Sequence, residues 1–198
     1  MAERIKKHAE LGQLSLLGEP SLKRSAVFSG DMRLELNREW APGPKACVIG
    51  HNPSDAGADR EDSTSLWWNR WFMHHGFGSY TAVNAYPWIS SKPVDVYERL
   101  RQIEQGVDWG ARDDLYITNY NTVARVAKAA DQVFVCWGSI ARDDAWISQL
   151  IEGIQGEDPP WPNLWCWGFT KSGAPTHPMA RGKHRIDPLQ KPLLWRAA

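Results

Sequence analysis

The chain has 198 residues, of which 42% are hydrophobic and 23% charged, and its formal net charge is 0. This length suits one domain with a sizeable core, and the hydrophobic share is too high for a disordered chain. No run of about 18 apolar residues could span a bilayer, and the start lacks an apolar leader, which predicts a cytoplasmic protein without a membrane partner. Three separated cysteines, Cys47, Cys136 and Cys166, argue against a disulfide framework or a cysteine-based metal site.

The first part of the chain is typical of a polar arm followed by a hairpin and a buried strand. We assign residues 1–25 to an N-terminal arm and residues 26–198 to a single domain. Alternating residues at 26–28 and 32–36, joined by Ser-Gly-Asp, predict a strand pair. The apolar run at 46–49 indicates a buried strand, which stops at the turn-forming sequence Gly-His-Asn-Pro-Ser.

Strands and helices alternate through the rest of the chain. The further predicted strands lie at 80–85, 132–137 and 164–168. The predicted helices lie at 66–75, with Ser63 and Thr64 as capping residues, and at 93–105, 113–130 and 141–151. This alternation predicts an α/β fold, a three-layer sandwich around a mostly parallel sheet of four to five strands.

Polar, turn-forming clusters follow three of these strands directly, at residues 50–54, 84–88 and 170–178. The carboxyl ends of parallel strands meet at one edge of a sheet, and ligands of such sheets bind there. We therefore expect the three clusters to line one cleft.

Each cluster contains one polar side chain that suits the binding of a heterocycle. Asn52 could orient a water or bind a polar edge, although an Asn in such a turn also caps its own loop. Asn84 ends an apolar strand, where its amide could read the edge of a base or hold the adjacent loop. His177 could donate to a developing oxyanion or satisfy loop carbonyls.

An acidic loop precedes the helix predicted at 66–75. Asp59, Glu61 and Asp62 could orient a water or hold Mg²⁺, but acids at a helix start also stabilise the helix dipole. Asp62 borders the cleft and is the catalytic candidate of the three. The sequence lacks full Walker spacing, a G-x-G-x-x-G turn and a G-x-S-x-G elbow, and we predict neither a cofactor nor a metal.

Basic residues concentrate towards the C-terminal end. From Lys171 onward the chain has six Lys or Arg residues and one acid, Asp187. This stretch could form a local phosphate-binding face or a solvated tail. Most of the 12 tryptophans should lie in the core or in surface grooves, but Trp and Tyr side chains also form stacking platforms for bases.

Several segments together resemble a family named domain of unknown function 1643. They are RLELNREW at 33–40, VIGHNPS at 48–54, EDST at 61–64, VN at 83–84, CWG at 136–138 and TKSGAPTHP at 170–178. They occur in the expected order over most of the chain. The family name itself carries no activity.

A more distant likeness connects the chain with the uracil-DNA glycosylase superfamily. The motif at 50–54 is similar to the G-I-N-P-G form of its first motif, which puts Asn52 at the water-orienting position. Asn84 matches its base-reading Asn, and His177 matches the His that stabilises the departing base. Ser54 departs from the Gly or Tyr of those motifs, and no Ser-Pro-rich wedge loop follows residue 178.

The resemblance implies a protein that recognises a nucleobase and hydrolyses its N-glycosidic bond. Asn52, His177 and Asp62 would be catalytic, and the implied partner is DNA or a nucleotide bound by a monomer. The base would contact Asn84, Tyr86, Trp88, His51, Pro53 and Ser54. Phosphates would contact Lys171, Ser172, Arg181, Lys183 and Arg185.

Three other classes of function stay open. A module on the same fold could bind a base or nucleotide without cutting it. An enzyme acting on small nucleotides is favoured by the zero net charge, because duplex binding usually needs a basic surface. A tryptophan-rich surface could also bind another protein.

Overall fold

The computed structural model describes residues 22–140, 144–156 and 159–198. The strands in this part of the chain are β1 (Lys23–Ser29), β2 (Met32–Glu39), β3 (Lys45–Gly50), β4 (Ser79–Asn84), β5 (Gln132–Val135), β6 (Leu164–Cys166) and β7 (Leu193–Arg196). The helices are α1 (Ser63–His74), α2 (Pro93–Glu104), α3 (Trp109–Asp113), α4 (Tyr120–Lys128) and α5 (Asp144–Ile154). A π-helical segment covers Asp114–Asn119, and 3₁₀ turns cover Gly138–Ile140 and Gly182–His184.

The strands pair in one mixed sheet of seven, in the order β1-β2-β4-β3-β5-β6-β7. The four central strands, β4, β3, β5 and β6, run parallel to one another. The outer strands pair antiparallel. On one side of this core β2 pairs with β4 and β1 pairs with β2, and on the other side β7 pairs with β6. β3 is followed in the chain by β4, which pairs on one side of it, and then by β5, which pairs on its other side. The strand order therefore reverses between β3 and β5, and open α/β sheets bind ligands at such a switch point.

The prediction of four to five strands is wrong because both edges of the sheet carry extra strands. The predicted pair at 26–36 is confirmed as the β1–β2 hairpin, and β2 extends the sheet by pairing with β4. β7 adds the other edge, with Leu193 and Leu194 opposite Cys166 and Trp165. A four-residue strand inside a basic stretch gives too short a pattern to be recognised in the sequence.

Helices cover both faces of the sheet, since each crossover between its parallel strands carries at least one helix. α1 buries Trp68, Trp71 and Phe72 against one face. The opposite face is covered by residues from α2 to α5, among them Val123 and Leu150. The structure therefore confirms the α/β class with helices flanking a central sheet.

Two helices differ from prediction in ways that bear on the cleft. Asp62, rather than Ser63 or Thr64, caps α1: Asp62 Oδ1 accepts from Ser65 N–H at 2.7 Å, and Ser65 Oγ accepts from Asp62 N–H at 2.9 Å. This reciprocal pair is a capping box. The helix predicted at 113–130 is interrupted by the π-helical segment before α4.

Part of the predicted chain lies outside the described residues. Residues 1–21 of the predicted arm lie outside the described residues, and β1 already begins at Lys23. The helix predicted at 141–151 is described from Asp144 as α5. None of the helices in the described part has the length and apolar character that crossing a bilayer requires.

Candidate functional site

The loops that follow β3 and β4 run side by side beyond the ends of the strands. Ala85 N–H donates to Gly50 O at 2.9 Å, and Ser90 N–H donates to Pro53 O at 3.0 Å. The parallel ladder thus continues into the loops, and the structure brings the clusters at 50–54 and 84–88 together.

The third cluster joins them through the turn after β5. Gly138 N–H donates to Pro175 O at 2.9 Å, and Thr176 N–H donates to Gly168 O at 2.9 Å. Gly138 has a φ of +72°, in the left-handed region that glycine adopts without strain. This turn brings His177 to the same edge of the sheet as the other two clusters.

Asn52, Asn84 and His177 line one cavity of about 210 Å³. Small-molecule sites usually enclose about 300–1,000 Å³, so this cavity suits one small ring system rather than a larger ligand. The other lining residues are Arg33, Leu36, Gly50, His51, Ser54, Asp62, Thr64, Trp68, Ser90, Ser91 and Pro93. We refer to this space as the small cavity.

Two buried side chains fix the end of β4 that carries Asn84. Asn119 Nδ2 donates to Asn84 O at 3.1 Å and to Ala85 O at 3.0 Å. Trp146 Nε1 donates to Ala85 O at 2.9 Å. Asn119 ends the π-helical segment, and such segments concentrate at functional sites. The last residue of this segment therefore holds the backbone at the end of β4.

Three residues that line the small cavity carry a buried N–H group that lacks an acceptor among the described residues. Asn84 is 3% exposed, and its Nδ2 has no hydrogen-bond partner among the described residues. Arg33 Nε and Trp68 Nε1 are also buried without a hydrogen-bond partner in the described part of the chain. An unpaired buried donor costs about 1–3 kcal/mol, so the cavity suits an occupant that offers acceptor atoms.

The Asn52 amide is occupied by hydrogen bonds within the two loops. Its Nδ2 donates to Ser90 O at 2.7 Å and to Pro53 O at 3.1 Å. Its Oδ1 lies 2.8 Å from His51 Nδ1. Because an amide oxygen only accepts, His51 Nδ1 carries the hydrogen of this bond. Asn52 thus joins the loop after β3 to the loop after β4.

Asp62 brings a carboxylate to the small cavity while it caps α1. Its Oδ2 accepts a hydrogen bond from Ser54 Oγ, and its Oδ1 accepts from Ser65 N–H. Burial acts to raise the pKa of Asp62, but the hydrogen bonds from Ser54 and Ser65, with the charge of Arg33, hold the pKa below its ordinary value. The carboxylate is therefore ionised at neutral pH.

Glu61 fastens the acidic loop to β2. Arg38 Nε donates to Glu61 Oε1 at 2.7 Å, and Arg38 Nη2 donates to Oε2 at 3.2 Å. The Arg38 side chain is fully buried, and its Nη2 also donates to Gly57 O at 2.8 Å. Asp59 is exposed and does not line the small cavity. Of the three acids in this loop, Asp62 is the one that reaches the cavity.

His177 lines both the small cavity and a larger neighbouring one. Its Nδ1 accepts from Met179 N–H at 3.2 Å, so the hydrogen of the neutral ring lies on Nε2. Burial, with a smaller effect of His51, lowers the pKa of His177 to about 4, although Asp62 acts in the opposite direction. His177 is therefore a neutral hydrogen-bond donor at physiological pH.

The low pKa of His177 predicts a loss of stability in mild acid. His177 takes up a proton below about pH 6.5 in the unfolded chain but only below about pH 4 in the folded chain. The free energy of unfolding therefore has its full value, as far as His177 is concerned, above pH 6.5. It falls by about 3 kcal/mol between pH 6.5 and pH 4, because the unfolded state binds more protons in this window. Urea denaturation at a series of pH values measures the loss.

The matched variant for this titration is His177→Gln, which cannot titrate. Its stability should change less between pH 6.5 and pH 4, with the remaining change due to carboxylates such as Glu61 and Asp62. Identical pH dependence of the two proteins would contradict the assignment of a low pKa to His177.

Three predicted base-binding residues do not line the small cavity. Tyr86, Trp88 and Pro53 are buried, and the first two belong to the core beneath α2 to α5. The predicted base-binding residues that do line it are Asn84, His51 and Ser54. The aromatic side of the cavity is formed instead by Trp68, together with the His51 ring.

Arg33 and Trp68 also line the cavity, and neither was among the predicted site residues. Arg33 is 3% exposed, and burial lowers its pKa to about 10 while Asp62 opposes this effect. Trp68 precedes the buried Trp71 and Phe72 by three and four residues, which is the spacing of one helix face. Because α1 starts at the carboxyl edge of the sheet, that face begins beside the cleft, and this signal could have identified Trp68.

The larger cavity has a volume of about 730 Å³ and shares His177 with the small one. Three predicted phosphate-binding residues line it: Lys171, Ser172 and Arg181. Lys183 is exposed and lines none of the cavities described here, whereas Arg185 lines a third cavity that also includes Arg181. The structure thus gathers three of these five residues beside His177.

The cysteines do not offer a nucleophile. Cys47, Cys136 and Cys166 are buried free thiols, and burial raises the pKa of each. A buried thiol of raised pKa is unreactive. Within the described residues, no group of three or more His, Cys, Asp or Glu side chains is arranged to hold a metal ion.

Comparison with known proteins identifies a family. The model of the family described as "Protein of unknown function (DUF1643)" matches residues 33–179. No curated protein and no solved structure matches the chain. The matched residues contain every side chain that lines the small cavity, from Arg33 to His177. The chain therefore belongs to the DUF1643 family.

Proposed function

We propose that the protein recognises a nucleobase in DNA and hydrolyses its N-glycosidic bond, in the manner of the uracil-DNA glycosylase superfamily that its motifs resemble. The observation that carries the proposal is that Asn84, His177 and Asp62 line one cavity. An amide for the base, a donor for the departing base and a carboxylate beside the sugar are groups that this reaction needs.

The unpaired donors of the small cavity support base recognition. Asn84 Nδ2, Arg33 Nε and Trp68 Nε1 are buried without an acceptor among the described residues. The carbonyl oxygens and ring nitrogens of a base would accept from them, while Asn84 Oδ1 can accept from a ring N–H. A volume of about 210 Å³ favours a single heterocycle that has left its stack.

His177 would stabilise the base as it departs. When the glycosidic C–N bond breaks, its electron pair moves onto the base, and negative charge gathers on a carbonyl oxygen. A neutral imidazole that donates its Nε2–H to this oxygen lowers the barrier without transferring a proton. The base anion then takes up a proton from solvent. The low pKa of His177 keeps the ring in this form across the physiological range.

Asp62 would act on the sugar side of the same bond. Its ionised carboxylate stabilises the positive charge that develops on the sugar, and it accepts a proton from the attacking water. The water oxygen bonds to the anomeric carbon as the base leaves. Its low pKa makes Asp62 a weak base, so most of the rate must come from stabilisation of charge.

The larger cavity would hold the sugar-phosphate part of the substrate. Lys171, Ser172 and Arg181 line it and can contact phosphate oxygens. His177 borders both cavities, so the bond to be cut would lie beside its ring, with the base on one side and the backbone on the other.

A second candidate function is a reader that binds a base without cutting it. The observation that favours it is that both carboxylate oxygens of Asp62 already accept hydrogen bonds from serines. The Asn52 amide is similarly engaged by the loops. Groups held in this way bind well but have little freedom to position a water.

The two candidates are separated by measuring free base released from DNA. Oligonucleotides that contain normal and modified bases are incubated with the protein, and the released base is detected by mass spectrometry. We expect release from at least one substrate and its loss in Asp62→Asn. Binding of a base without release from any substrate would establish the reader instead, and neither binding nor release would reject both functions.

Gly50 provides a test of how Asn84 acts, because it allows the Asn84 side chain to lie across the end of β3. A Cβ at residue 50 would lie 2.8 Å from Asn84 Oδ1 and would displace the amide. We expect Gly50→Ala to weaken the binding of a free base about tenfold, the worth of one good hydrogen bond, in calorimetric titration.

The matched control for this change is Gly57→Ala. A Cβ at residue 57 meets its nearest atoms at 3.7 Å or more, an ordinary contact distance, so the affinity should stay the same. Equal affinity of Gly50→Ala and the unchanged protein would show that Asn84 does not hold the base.

A further inference from the structure

A third cavity adjoins the larger one at residues 179–181. The two have volumes of about 730 Å³ and 450 Å³, and both are lined by Met179, Ala180 and Arg181. Together they form an extended depression that passes His177 on one side and reaches α1 on the other. We call this depression the cationic groove, defined by Trp67, Arg70, Lys171, Met179, Arg181 and Arg185.

The cationic groove carries positive charge without counter-charge. Lys171 lines its first part, Arg70 and Arg185 line its second part, and Arg181 lines both. No Asp or Glu is among the residues that line either cavity. All four cations are exposed, and none of them forms an ion pair within the described residues. On a chain of zero net charge, such a cluster of exposed cations produces a local positive field that attracts a polyanion.

The groove also has an aromatic side. Trp67 lines its second part and is half-buried. Its ring is held by Trp71, at 6.4 Å between ring centroids, and by Trp167, at 5.1 Å. A ring fixed in this way loses little entropy when a base stacks on it. Met179, 43% exposed, adds apolar surface between the two parts of the groove.

We propose that the cationic groove binds a single strand of nucleic acid and leads it past His177 to the small cavity. Phosphates would contact the four cations, and a base outside the small cavity would stack on Trp67. Unpaired bases are needed for such stacking, and a duplex keeps its bases inside its own stack. The inference rests on the proposed function for the base that enters the small cavity, but strand binding is measured independently of base release.

The test is fluorescence anisotropy with a labelled dT12 strand, compared with a duplex of the same length. Four phosphate contacts predict that log K falls with log salt with a slope of about −3. Charge reversal in the double variant Arg70→Glu/Arg185→Glu should weaken binding about tenfold and reduce this slope by about half. Both residues are exposed, so the fold should be unaffected.

The control is Lys128→Glu, which reverses a positive charge on α4, across the sheet from α1. It should bind dT12 as the unchanged protein does. Trp67→Ala should weaken binding about tenfold with an unchanged salt slope, because it removes stacking rather than charge. Tighter binding of the duplex than of dT12, or equal binding by the double variant and Lys128→Glu, would overturn the proposal. Strand binding without base release would support the groove and count against the glycosylase.

Discussion

Replacing His177 by alanine should slow base release by about 10²–10³-fold, the usual effect of removing one donor from a developing oxyanion. His177 borders both the small cavity and the larger one, and Met179 N–H holds its Nδ1 so that Nε2 donates. The rate of base release under single-turnover conditions is the measurement. The affinity for intact DNA should change little, because the interaction forms mainly as the bond breaks.

The exposed His74 at the end of α1 provides the control for this variant. His74→Ala should release base at the unchanged rate. His177→Gln should retain part of the activity, since its amide can donate a hydrogen bond from a similar place. A rate for His177→Ala within a factor of two of the unchanged protein would remove His177 from the chemistry.

Replacing Arg38 by methionine should lower the free energy of unfolding by about 3–5 kcal/mol, the cost of breaking a buried ion pair at one partner. Arg38 is fully buried and makes a two-point contact with Glu61. Its loss leaves the Glu61 carboxylate with Arg24, which lies 3.2 Å away and is partly exposed. The loop that carries Asp62 should loosen, so base binding should weaken as well.

A second change distinguishes lost pairing from lost packing at this site. Adding Glu61→Gln to Arg38→Met removes the carboxylate that has lost its buried partner and should recover part of the stability in urea denaturation. Lys23→Ala removes the exposed contact with Glu39 and should cost less than about 1 kcal/mol. Equal losses for Lys23→Ala and Arg38→Met would show that the buried pair does not hold the loop.

The position of the site could be predicted from the sequence because it depends on strand direction. Apolar runs that end in polar turns identify parallel strands, and their carboxyl ends share one edge. This pattern predicts that Asn52, Asn84 and His177 lie at one cleft, and in the structure all three line the small cavity. The edge strand β7 could not be predicted because its four-residue pattern is short and lies in a stretch that is otherwise polar.

The roles of individual side chains depend on contacts that a sequence does not reveal. Tyr86 and Trp88 lie on a turn, where they could have faced the cleft, but the backbone directs both into the core. Asn52 could have been free to bind a ligand, but the carbonyls of two loops occupy its amide. Arg33 comes from the edge hairpin, and its approach to the cavity depends on long-range packing of β2 beside β4.

The most direct measurement of the central claim follows the side-chain amide of Asn84 by ¹⁵N NMR during titration with free bases. Uracil, cytosine, adenine and guanine are each added up to their solubility limits. The proposed function predicts that the Asn84 Nδ2 hydrogens shift in a saturable way with at least one base and that the shift disappears in Gly50→Ala. No saturable change at Asn84 with any of them, in a protein whose backbone spectrum remains intact, would contradict it.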